Sequence, residues 1–160
     1  MIGWAEQNDR EPCCESSLGA VADSEALARL VIKPAQATGY TPFQRSEIFG
    51  DAKKSVSNVC GEKSGLSVLR CDNLTETQLM ELSHKQAQMR PNRSGDGARS
   101  TIARILRQIR ITHMPNLQIV YVYDDPRDDQ ICHAVLRGSK KLIKNDIAVV
   151  LEDIKKAFRS

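Results

Sequence analysis

Aromatic residues are scarce in this 160-residue chain: Phe, Tyr and Trp together make up 4%. Proteins that read single-stranded nucleic acid use aromatic rings as stacking platforms, so this scarcity argues against that mode of recognition. Long apolar runs are missing too. No stretch of 18 apolar residues occurs, which excludes a membrane-spanning helix. Met1-Ile2-Gly3-Trp4 leads into acids, without the basic start and apolar stretch of a secretory signal. The cysteines (Cys13, Cys14, Cys60, Cys71 and Cys132) are odd in number and irregular in spacing. That pattern fits a reducing compartment, the cytoplasm, and not a disulfide framework. No CxxC or HxxxH pair is present, and Cys13-Cys14 is too tight to chelate. A zinc site would need Cys60, Cys71, Cys132 and a histidine to converge from afar. The sequence holds no Walker or Rossmann phosphate loop, no GxSxG elbow and no internal repeat. No metal and no cofactor are therefore expected.

What is present is ordinary in bulk. Hydrophobic residues are 41% and charged residues 27%, near the globular average. The length suits one domain, or one domain with a tail. The net charge of +3 hides an uneven distribution. Residues 1–25 hold one base and six acids, and residues 84–110 hold seven bases against Asp96 alone. Residues 111–136 set Arg127 against Asp124, Asp125, Asp128 and Asp129, while 137–160 carry seven bases and three acids. Residues 1–23 read as an acidic, flexible arm in which Trp4 is the one side chain with cause to pack. Residues 24–160 read as the domain.

Local patterns give the elements. Leu27–Lys33 is apolar and stops at Pro34, as a strand does. Residues 35–64 are a long irregular connection, and Gly65–Cys71 is a short strand. Thr75 and Gln78 form a capping box, with Leu74 and Leu79 as a hydrophobic staple, so a helix runs from there to about Met89. Residues 92–97 are a loop. Ile102, Ile105, Leu106 and Ile109 then predict an amphipathic helix over 98–110. Leu117–Tyr123 and Gln130–Arg137 form a hairpin around the acidic turn 124–129. Ile143, Ile147, Val150, Leu151, Ile154 and Phe158 share one face of a final helix over 144–158. The sum is an α+β fold: a small antiparallel or mixed sheet, including the 117–137 hairpin, packed by about three helices.

Several groups of residues could carry chemistry. Arg99, Arg104, Arg107 and Arg110 flank the predicted 98–110 helix, with Arg90 and Arg93 just before it. Arginine forks suit phosphate or carboxylate, and a solvated helix face accounts for them equally. The acidic arm lying across this face is a third possibility. The turn aspartates suit a hard cation, but Asp and Pro are also what a turn needs. Cys132 and His133 are neighbours on a strand and point to opposite faces, so they cannot pair with each other. Cys132 would need His84 or His113, and His133 would need Cys60 or Cys71. His133 could instead act as a general base on an exposed strand face, oriented by a turn aspartate. Arg29 and Ser67 loosely resemble part of the ADP-ribosyltransferase arrangement, but Glu81 falls on a helix where that arrangement needs a strand.

The stretches SEALARLVIKP, PF, GLSVLR and HAVLRG resemble a group of small uncharacterised bacterial proteins. This resemblance implies a bacterial source and a small single-domain accessory protein, and it carries over no functional residue. The first functional expectation is a non-catalytic binding or adaptor protein that docks a larger protein partner. It rests on the acidic arm with Trp4, the 35–64 connection and the lack of a coherent catalytic set. The second is a module that binds nucleic-acid phosphates through Arg90, Arg93, Arg99, Arg104, Arg107 and Arg110. The third is a small hydrolase or transferase centred on His133 and the Asp124–Asp129 turn, with Cys132, Asp124 and Asp125 as further candidates.

Overall fold

The computed structural model describes Glu11 and residues 18–34, 42–50, 65–127, 129–139 and 141–158. Its elements, in chain order, are β1 (Ala26–Pro34), α1 (Arg45–Phe49), β2 (Leu66–Arg70), α2 (Glu76–Ala87), β3 (Arg93–Ile102), α3 (Ala103–Arg107), β4 (Val120–Asp124), β5 (His133–Gly138) and α4 (Lys144–Ala157). The strands form one antiparallel sheet in the order β3-β1-β2-β5-β4. The fold is a small α+β domain. Among the described residues, no helix is long and apolar enough to cross a membrane.

Register decides which side chains meet, because facing residues of antiparallel strands share a face and neighbours in sequence do not. Leu27, Leu66, Val68, Val122, Ala134 and Leu136 gather on one face and are buried there against Val150 and Ile154 of α4. Phe43 and Phe158 close this core, with ring centroids 4.9 Å apart. Ile147 and Leu151 pack at its margin, as their spacing predicts, but Ile143 is 63% exposed. The 35–64 connection is not wholly irregular: α1 occupies 45–49 and buries Ile48.

The opposite face carries Ala28, Leu69, His133 and Val135, by the pairings Ala28↔Leu69, Leu69↔His133 and Ser67↔Val135. Helix α2 covers the β1–β3 part of it. The capping box forms as expected: Gln78 N–H donates to Thr75 Oγ1 at 3.1 Å, and Thr75 N–H donates to Gln78 Oε1 at 2.9 Å.

The helix expected over 98–110 forms only in its middle, at 103–107, and its first five residues are strand. Residues 93–102 pair with β1 from Ala26↔Ile102 to Pro34↔Arg93, and only 103–107 are helical. The stretch that reads as a loop contains the reason. A Cβ on Gly95 would lie 2.4 Å from the backbone nitrogen of His84. Gly97 has φ +75 and donates its N–H to Ser83 Oγ at 3.0 Å. These glycines let α2 settle directly onto β3, and a side chain at Gly95 would hold the helix away. The apolar period is used only in part: Ala103 and Leu106 are wholly buried, while Ile102 ends the strand.

Candidate functional site

Because 98–102 is a strand, the six arginines do not line one helix. Arg93 and Arg99 lie on β3 and Arg90 follows α2, while Arg104 and Arg107 lie on α3 with Arg110 just beyond it. Arg107 is occupied by the chain's own acids. Its Nε and Nη2 donate to the two carboxylate oxygens of Glu11 at 3.0 and 2.6 Å, and its Nη1 donates to Asp23 at 2.8 Å. Glu11 also accepts from the backbone N–H of Val122 on β4. The described parts of the acidic segment, Glu11 and residues 18–23, are thus bound back onto the domain and not free. Trp4 lies outside the described residues.

A second arginine, unremarked in the sequence, organises one end of the core face. Arg70 terminates β2 and is almost wholly buried. It donates from Nε and Nη2 to Glu25 at 2.8 Å each and from Nη1 to Asp124 at 3.1 Å. It also donates to the carbonyls of Leu18, Gly19 and Ala20. Burial opposes the charge on Arg70, but the hydrogen bonds and fields of Glu25 and Asp124 outweigh it and hold the guanidinium protonated. Burial likewise opposes the Glu25 carboxylate, yet bonds from Arg70 and the Ala22 N–H hold its pKa below the usual range. The only sequence signal for this cage is an arginine closing an otherwise apolar strand.

Asp125 follows Asp124 and turns to the other face. The backbone N–H of Asp125 donates to the His133 carbonyl, which sets the two residues opposite each other. His133 is 5% exposed and Asp125 is 0% exposed. His133 Nδ1 lies 2.9 Å from the Asp125 carbonyl oxygen and 3.1 Å from Oδ2. Both are acceptors, so the proton belongs on Nδ1 and Nε2 keeps its lone pair. Among the described residues, neither Asp125 carboxylate oxygen nor His133 Nε2 has a hydrogen-bond partner. Arg127 Nε stands 3.8 Å from Asp125 Oδ2. The sequence reading placed His133 on an exposed strand face. It is buried instead, beside Leu69 of β2 and against Asp125.

His133 forms part of the wall of a groove of about 590 Å³ between α2, the sheet and the 127–130 turn. Leu30, Leu69, Leu82 and Met89 give it an apolar floor, and Gln86, Gln88 and Gln130 add amides. Lys85 and Arg127 supply cations, against Asp129 on the rim, while Arg29 lines the groove from β1 with its side chain on the Leu27 face of the strand. Arg29 also ties the strands to the 42–50 segment, donating to the carbonyls of Pro42 and Ser67 at 2.9 and 3.0 Å. The contribution of α2 escaped the sequence reading. Its signal is the polar run Lys85, Gln86 and Gln88 at the C-terminal end of α2, which amphipathic patterning scores only as solvated surface.

The other candidates separate. Asp124 belongs to the Arg70 cage, Asp129 is exposed, and Asp128 lies outside the described residues. Among the described residues, no three His, Cys, Asp or Glu side chains are placed to hold a metal ion. Burial, with Asp72 and Cys132 nearby, pushes the Cys71 thiol up to about 11, so it is no thiolate at neutral pH. Cys132 is half-buried, and Cys60 lies outside the described residues. His84 is exposed on α2, and His113 meets Asp146 at 3.3 Å on the surface. Glu81 is exposed on α2 and does not line the groove with Arg29 and Ser67. Compared with known proteins, the chain matches no family model, no curated protein and no solved structure.

Proposed function

We propose that the protein is a small hydrolase or transferase in which His133 is the general base and Asp125 holds it in place. The observation that carries this reading is a buried imidazole in a groove wall, with Nδ1 directed to Asp125 and Nε2 left with a lone pair. In this role the ring turns its buried Nε2 to the groove, where it takes the proton from a water or hydroxyl as that attacks a bound ester, then returns it to the leaving group. Asp125 fixes the tautomer and stabilises the imidazolium formed on the way. Positioned acid–base groups of this kind contribute roughly 10²–10⁴-fold in rate. Chromogenic acetate, phosphate monoester and phosphodiester substrates test it. Turnover of one of them, lost by about 10²-fold or more in His133→Ala with the fold intact, is the expected result. Absence of turnover by the wild type on all three, or a fully active variant, overturns the reading.

A second reading, a docking protein for a larger partner, is favoured by a different observation. Among the described residues, β3 pairs only with β1, which leaves a ten-residue edge open to an added strand. Affinity purification from the native host should then recover a partner that Ser100→Pro, on that edge, releases. A partner retained by that variant argues against strand addition.

A further inference from the structure

We infer that the groove binds a nucleotide unit, a heterocyclic base carrying a phosphate. The inference rests on the acid–base reading and names its substrate class.

The groove volume of about 590 Å³ lies in the range that holds small organic ligands. Its lining is divided by chemistry. The apolar strip of Leu30, Leu69, Leu82 and Met89 offers a surface for a flat ring. Gln86 and Gln88 each present a carbonyl acceptor and an amide donor, and Gln130, whose Oε1 accepts from the Cys132 N–H, adds an amide donor, matching the mixed donor and acceptor edge of a base. A simple acyl chain or a bare inorganic anion would leave those amides unused. Lys85 and Arg127 are exposed cations at the mouth. The acids nearest them are Asp129 on the rim and the buried Asp125. A phosphate held by Lys85 and Arg127 stands at the groove wall that His133 helps to form, so its ester bond is brought to the proposed base. Among the described residues, no aromatic side chain lines the groove. The base therefore packs on aliphatic carbon, and the phosphate supplies most of the affinity.

Two sources share this chemistry: a free nucleotide and a nucleotide within an oligonucleotide. Calorimetric titration of the full chain at low salt separates them, with 5′ and 3′ nucleoside monophosphates, a short single-stranded RNA, the unphosphorylated nucleosides and inorganic phosphate as probes. A monophosphate or the RNA should bind, each half-ligand should bind about tenfold more weakly or worse, and affinity should fall with added salt. Lys85→Ala combined with Arg127→Ala, both exposed substitutions, should weaken binding by about tenfold or more. His133→Ala should keep the affinity within a few-fold. If neither a monophosphate nor the RNA binds, the substrate class is wrong, while ester turnover by the wild type can still stand. If binding survives the double substitution, the ligand sits elsewhere. If binding is sound but His133→Ala leaves turnover of the bound nucleotide intact, the acid–base reading fails and the binding site remains.

Discussion

Asp124 and Asp125 are adjacent in sequence, equally buried, and set in opposite surroundings. Asp124 points into the core face and meets Arg70, which is bound in addition to Glu25 and three backbone carbonyls. Asp125 points to the other face and meets an imidazole that leaves both its carboxylate oxygens without a hydrogen bond among the described residues. A buried charge costs several kcal/mol in desolvation unless partners return it. The first site returns it within the fold, and that is what a structural network looks like. The second leaves polar atoms over beside a groove, which has no use in folding and does have one in binding or catalysis.

The largest expected effect comes from breaking the satisfied site. Arg70→Ala leaves a wholly buried carboxylate facing apolar neighbours without its guanidinium and releases the 18–25 segment. Urea denaturation should show a loss of about 3–5 kcal/mol. The same cage sets an acid limb. The Glu25 carboxylate has a lowered pKa in the fold, so the folded state binds fewer protons than the unfolded state around pH 4. The stability it adds is complete above its unfolded pKa of about 4.3 and is lost as pH falls through the folded value. Glu25→Gln should flatten that part of the melting-temperature profile. A steep limb that persists unchanged would place the acid sensitivity elsewhere.

The contrast between the two sites was only half legible in the sequence. β1, β2, the hairpin and α4 follow from local apolar patterns, and α2 follows from its capping box, because each burial is decided by near neighbours. β3 is decided by pairing with a strand some 65 residues earlier. Its Arg-Ser-Gly-Asp-Gly start has turn composition, and only contact with α2 explains Gly95 and Gly97. Arginines counted along 90–110 as one stripe therefore scatter over a strand, a short helix and two loops. The groove is harder still, since β1, β2, α2 with the two residues after it, the 127–130 turn and β5 each give it only a few residues. A turn aspartate beside His133 was a fair expectation. Which aspartate, and its complete burial, depended on the register that sets residue 125 opposite 133.

The smallest expected change in stability is the sharpest test of the comparison. Asp125→Asn keeps the shape of the side chain and replaces a buried carboxyl group whose oxygens receive no hydrogen bond among the described residues. Burying a neutral amide costs less than burying an ion, so unfolding free energy should move by no more than about 1 kcal/mol. Ester turnover should still fall, because an amide holds the imidazolium less well than a carboxylate. If Asp125→Asn unfolds the protein as readily as Arg70→Ala, both aspartates are structural. The atoms left over beside the groove then have their counterpart within the fold, and His133 is one more packed residue of β5.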